Sequence, residues 1–266
     1  MARSEFFFAL FFIGCFNGLG ARAVDSIRSQ GWSEALLSTF GVSGIVWVAC
    51  FKGLELVLRE PIGKIRLADL GLGVLILMLV SLPIGGLSWL AVSMLGVYVL
   101  LQGAPTSTQR RGVIILLAVT VPMLWSRILF RYFANLILEI DAKLVGLILG
   151  TQNAGNIVPF ADHSGSLIIL PYCSSLANVS LAFLTWVLVT QWLSRRWAAR
   201  DLRWCFLAGA SVVAFNVSRI SLMGRDQAHY ELIHSQYGDL VGNLLLLSLM
   251  IGICLFGARR DLLTRS

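Results

Sequence analysis

The chain has 266 residues, of which 57% are hydrophobic and 13% charged, with 21 Lys and Arg against 14 Asp and Glu. A soluble domain carries roughly twice that share of charge, and with a mean hydropathy of +0.81 the composition predicts an all-α polytopic membrane protein. The basic excess does not read as a nucleic-acid footprint, because the Lys and Arg residues cluster in short loops between apolar runs, as the positive-inside rule describes.

A span needs ~20 mostly apolar residues, and by that measure the chain holds eight. The first covers residues 5–20 and opens with Phe6, Phe7, Phe8, Phe11 and Phe12. The Ala21-Arg22-Ala23 that follows resembles a signal-peptidase site, but the short Met1-Ala2-Arg3 head argues against cleavage. A polar stretch, 22–33, leads to the second span, 35–58. Lys52 and Glu55 lie three apart there and are read as an ion pair near a helix end. Arg59, Lys64 and Arg66 form a basic loop before the third span, 67–82, which turns at Pro83-Ile84-Gly85-Gly86 into the fourth, 87–101. A loop with Arg110 and Arg111 precedes the fifth, 113–129, with Pro122 predicting a kink.

Residues 131–149 alternate charge with apolar positions at helical spacing, which predicts an amphipathic helix lying at the interface. Residues 151–166 are polar and loop-like, and 167–170 form a short extended segment. The sixth span is 173–193, closed by Arg195, Arg196, Arg200 and Arg203. The seventh is 204–222. A loop with Arg225, Asp226, His229, Glu231 and His234 leads to the eighth, 237–256, followed by Arg259, Arg260 and Arg265. The chain thus divides into a five-span region (1–130), an extracytoplasmic helix and loop (131–171) and a three-span region (172–266).

With a cytoplasmic amino terminus, Arg22, Arg28, Arg127, Arg131, Lys143, Arg219 and Arg225 fall on the outer side, Lys52 lies within a span, and the remaining Lys and Arg of the 21 are cytoplasmic. This bias predicts that both termini are cytoplasmic. It places the heads of spans six and eight, and the end of span seven, on the outer side of a cell membrane.

Three reactive residues gather at those ends: Cys173, Arg219 and His234. A thiol near a helix N-terminus feels the positive end of the dipole, which favours the thiolate. A histidine opposite can act as general base and acid for acyl transfer, and an arginine can hold a developing oxyanion. An Arg inside an apolar run is expensive and commonly functional. Asn216 shares a helix face with Arg219. Tyr172, Ser174 and Ser175 flank the thiol, and His163 lies in the loop ahead of it; with Asn216 these are the supporting candidates. His229 and His163 compete with His234 as the base. Cys15, Cys50, Cys205 and Cys254 read as small apolar residues. The five cysteines show no paired spacing, which suggests neither a disulfide framework nor a metal site, and no organic cofactor is expected.

At these residues the sequence resembles the exosortase/archaeosortase family of membrane cysteine transpeptidases and proteases. The matching stretches are Cys173-Ser174-Ser175, Asn216-Val217-Ser218-Arg219-Ile220 and His234-Ser235-Gln236-Tyr237-Gly238, within a similarity covering residues 144–257. Ser175 stands where the family usually has Gly. The resemblance implies that Cys173 is the nucleophile, Arg219 the oxyanion stabiliser and His234 the acid/base. The implied partners are exported proteins carrying a C-terminal sorting tail of motif, span and basic cluster, with an unnamed acceptor; the 151–166 loop is the expected motif contact. Three rival readings are a small transporter or channel lined by Lys52, Glu55, Arg127 and Arg219, a membrane acyltransferase acting through Cys173, and a structural assembly subunit. No internal repeat of the kind many transporters carry is evident.

Overall fold

The computed structural model describes residues 2–60, 63–82, 84–102, 105–194 and 201–263. Arg195, Arg196, Arg200, Arg265 and the turn proline Pro83 lie outside them, as do the side chains of Tyr172 and Arg260. Among the described residues the chain is helical apart from one short hairpin. In order come α1 (Arg3–Gln30), α2 (Trp32–Leu37), α3 (Gly44–Leu58), α4 (Leu67–Ser81), α5 (Gly85–Gln102), α6 (Ser107–Thr120) and α7 (Ser126–Leu149). Then come β1 (Ile157–Pro159), β2 (Ser166–Ile168), α8 (Ser175–Trp192), α9 (Asp201–Met223), α10 (Gln227–Ile233) and α11 (Gln236–Leu263).

Five helices among the described residues are long and apolar enough to cross a membrane: Arg3–Gln30, Ser107–Leu149, Ser175–Trp192, Leu202–Met223 and Tyr237–Arg259. The other expected spans are shorter. Thr39 and Phe40 take positive φ (51° and 59°), so the second run is broken between α2 and α3, and its long helical part starts only at Gly44. At 15 residues, α3 is about 22 Å long, and α4 is the same length. The expected Lys52–Glu55 pair is present at 2.7 Å. The polar stretch after the first span is largely helical, since α1 runs on to Gln30.

Pro122 has no amide to donate, and a π-helical turn, Val121–Trp125, carries the chain from α6 into α7. The expected kink is therefore a widened turn, and the helix expected to lie at the interface continues α6 in one 43-residue helix. On α7 the apolar positions Leu136, Ile140, Leu144, Leu147 and Ile148 are exposed, whereas Leu138, Asp141, Ala142, Val145 and Gly146 face inward.

The chain forms two compact units, Met1–Trp125 with Thr190–Arg196, and Ser126–Val189 with Trp197–Ser266. In the first, α1, α3, α5 and α6 enclose large buried side chains including Phe11, Leu56, Trp89 and Leu116. In the second, the 151–166 stretch is not all loop. β1 pairs antiparallel with β2, setting Val158 opposite Leu167. Both of those side chains are buried while Ile157 and Ile168 face out, the alternation of a half-buried ribbon. Val158, Phe160, Leu167 and Ile169 pack with Leu138, Ala142 and Val145 of α7 and with Val217 and Ile220 of α9. Ala161 N–H donates to Gly224 O at 2.9 Å, pinning the hairpin to the end of α9.

Candidate functional site

The hairpin delivers the chain into a 3-10 turn, Pro171–Cys173, that ends two residues before α8. Cys173 N–H donates to Leu170 O at 2.9 Å within this turn. The thiol therefore stands ahead of the helix and not in its first turn. Its residue is half-buried and packs against the core shared by α7, the hairpin and α9.

The head of α8 is held from two sides. Ser175 N–H donates to the Asp141 carboxylate of α7 at 3.0 Å, and Asp141 is 3% exposed. Asn216 of α9, also buried, donates through its side-chain amide to Cys173 O at 2.8 Å and to Ser175 Oγ at 3.1 Å. Ser174 Oγ accepts from Leu176 N–H at 3.3 Å. One asparagine thus ties the carbonyl that ends the thiol turn and the side chain of the first residue of α8 to α9.

Arg219, one turn beyond Asn216, donates from Nη2 to the Asp239 carboxylate of α11. Gly242, one turn after Asp239, lets the guanidinium lie flat on α11, since a Cβ there would come within 3.0 Å of Nε. That Nε is buried and has no acceptor among the described residues. With Nη2 committed and Nε turned into the helix face, Nη1 is the donor left for an incoming oxygen.

Burial pushes the Cys173 thiol up from its ordinary pKa. A backbone hydrogen bond from Leu170 and the Arg219 charge pull it down, while Asp239 pushes it up. The net direction is upward because burial outweighs the rest; the thiol also stands ahead of α8 and not in its first turn, where the dipole expectation put it. A buried thiol of this kind needs a base to become the nucleophile.

The histidines are dispersed. His234 ends α10, is exposed, and stacks on Tyr230 with ring centroids 5.2 Å apart; Tyr230 itself packs against the core that carries Cys173. Its ring makes no hydrogen bond among the described residues. His229 Nδ1 lies 2.8 Å from both Asp226 oxygens; hydrogen bonds from His229 hold the Asp226 carboxyl below the usual carboxylate range. His163 is exposed at the hairpin tip with φ +60°. The structure brings Cys173, Ser174, Ser175, Asn216 and Arg219 together and places no histidine ring in hydrogen-bond contact with them. Gly238, read above only as part of a motif, is required sterically: a Cβ there would meet Ile233 O at 2.4 Å, so α11 can start tightly against α10.

No protein-family model matches this chain, and no curated protein or solved structure matches it. The site therefore rests on its own geometry.

Two of its residues were not singled out in the sequence. Asp141 reads there as one of several charges along an amphipathic helix. Asp239 reads as the acid that often opens a helix, with nothing to say that Arg219 would reach it. The signal available was the i, i+3 pair of Asp239 and Gly242, acid then glycine on one face of an apolar helix. An apolar groove of about 710 Å³ also opens between α7, α8 and α9, lined by Leu144, Val179, Cys205, Gly209, Val213 and Val217. Val213 and Val217 pack in the same cluster as Cys173.

Proposed function

We propose that this chain is a membrane-embedded cysteine transpeptidase or protease that cleaves the C-terminal sorting tail of exported proteins, in the manner of the exosortase/archaeosortase family it resembles. In this reading eight segments traverse a cell membrane, both termini are cytoplasmic, and the thiol turn faces outward, the topology that the bias of Lys and Arg favours. The observation that carries the reading is the Asn216 amide. By bonding Cys173 O and Ser175 Oγ it ties the thiol turn to α9, one helical turn from a guanidinium whose charge acts on that thiol.

Catalysis runs as acyl transfer. A base takes the Cys173 proton. The resemblance assigns this to His234, with His229 and His163 as alternatives. Sγ then attacks the scissile carbonyl, forming a C–S bond and an oxyanion that the Arg219 Nη1 edge stabilises. Collapse breaks the C–N bond, the same imidazole returns its proton to the departing amine, and a thioester remains on Cys173. Water or an acceptor amine then resolves the thioester and frees the thiol. The 151–166 stretch, which includes β1 and the tip of the hairpin, supplies the motif contact, and the apolar groove beside α9 takes the span of the tail.

That groove suits a fatty acyl chain as well, which makes a membrane acyltransferase the second reading. The mass of the thioester adduct on Cys173 separates the two: a peptide for the first, a fatty acyl group for the second.

The deciding experiment compares C-terminal peptides of exported, membrane-anchored proteins in cells carrying the wild type, Cys173→Ala and Cys205→Ala, at matched protein levels. Tails retained only with Cys173→Ala support the assignment, and the cut site gives the motif. Identical termini in all three strains overturn it.

A further inference from the structure

A second site lies in the amino-terminal unit, where a cavity of about 390 Å³ opens beside the head of α1. This is within the range of small-molecule sites. Among the described residues, Arg3, Lys64 and Arg66 bring charge to its lining, Phe7, Val57 and Val113 bring apolar surface, and no acidic side chain lines it; the Arg3 guanidinium lies over the Phe7 ring, 5.1 Å from its centroid.

Arg3 is 5% exposed and is fixed in place. Its Nε and Nη2 each donate to Asp69 at 2.7 Å. Asp69 is fully buried and accepts further from Tyr98 Oη at 2.8 Å and Arg66 N–H at 2.8 Å. The Asp69 carboxylate is thus saturated and offsets Arg3, one of three cations in the lining. Lys64 and Arg66 are exposed and make no ion pair among the described residues. Both sit in the short segment joining α3 to α4, while Phe7, Val57 and Val113 come from α1, α3 and α6. A buried ion pair contributes little to stability compared with an apolar substitute; its position here rigidifies one side of a cavity that carries two uncompensated positive charges.

We propose that this cavity binds an anionic glycerophospholipid, its phosphodiester headgroup between Lys64 and Arg66 and the start of an acyl chain along Phe7, Val57 and Val113. The shared chemistry with free phosphate is the oxyanion; the apolar wall selects the lipid. Basic pockets at helix ends on the cytoplasmic side bind such headgroups, and the site is independent of the thiol chemistry.

The test uses the purified full chain in dodecyl maltoside micelles, titrated with dioleoylphosphatidylglycerol, dioleoylphosphatidylcholine or inorganic phosphate and followed by thermal unfolding. Native mass spectrometry counts the lipids retained. The comparison pairs the double variant Lys64→Gln/Arg66→Gln with Arg59→Gln/Arg110→Gln, which removes the same charge from residues that do not line the cavity. Phosphatidylglycerol alone is expected to stabilise the wild type and remain bound in the gas phase. The cavity double variant weakens binding roughly thirtyfold, and the control double variant retains it. Equal loss in both double variants means a diffuse basic surface and overturns the proposal. So does equal stabilisation by phosphatidylcholine, or full stabilisation by phosphate alone.

Discussion

Each unit of the chain contains an Arg–Asp pair set among apolar helices, and the two pairs are built differently. In the amino-terminal unit Arg3 meets Asp69 through two hydrogen bonds of 2.7 Å, with side chains 6% and 0% exposed, and Asp69 gains two more donors from Tyr98 and Arg66. In the carboxy-terminal unit Arg219 meets Asp239 through Nη2 alone, with side chains 22% and 45% exposed and a buried Nε left without an acceptor. Asp69 keeps nothing back, so its pair can only hold helices and fix a cation. The second is half-made, which keeps donor capacity beside a thiol. An unsatisfied donor of this kind is expensive in a core; Nε faces α11, so the donor capacity left toward the thiol side is that of Nη1.

The difference can be broken most directly by removing the two carboxylates. Asp69→Ala strands a buried guanidinium and is expected to lower stability by about 3–5 kcal/mol, seen as a large fall in unfolding temperature. Asp239→Ala, at a partly exposed pair, is expected to lower it by less than about 1 kcal/mol. Equal losses would mean that both pairs are structural.

Next in size is Asn216→Ala. Losing the amide leaves Cys173 O and Ser175 Oγ without their donor, an effect of about 1–3 kcal/mol by thermal unfolding. It is accompanied by loss of tail processing larger than that destabilisation accounts for.

Thiol chemistry sharpens the comparison without any substrate. Iodoacetamide modification of Cys173, with the other four cysteines replaced, rises with pH with a midpoint above that of an ordinary cysteine, because burial raises it. Asp239→Asn removes an anion that disfavours the thiolate and moves the midpoint down; Arg219→Gln removes a cation that favours it and moves the midpoint up. A pair that only braces α9 against α11 would give shifts of one sign or none. Gly242→Ala has the smallest effect: its Cβ presses on Nε at 3.0 Å, tilting the guanidinium and shifting the midpoint by a fraction of what Arg219→Gln does.

The helical class and most helix positions were legible from apolar run length, since a run such as residues 67–82 has few alternatives to a helix. The short α3 was not, because the break depends on the backbone of Thr39 and Phe40, neither of which is a glycine or proline. The residues facing each other across the thiol turn were half legible. Asn216 and Arg219 stand out as polar residues in an apolar run. Asp141 does not, because Glu139 and Lys143 on either side of it make the stretch read as solvated. Which member of an alternating series turns inward depends on what packs against it, here the hairpin and α9. Asp69 was hidden for a related reason, as one acid at the head of an apolar run whose partner lies 66 residues away.

The carboxylate of Asp141 on the first amide of α8 has a consequence for how such a protein can change over generations. With that helix end already answered, the thiol's surroundings are set from α9 and α11, while its location is set by Asn216 and the hairpin. Placement and reactivity are therefore heritable apart. Substitutions along α11 can retune the Cys173 thiol for a different ambient pH without disturbing the turn that presents it.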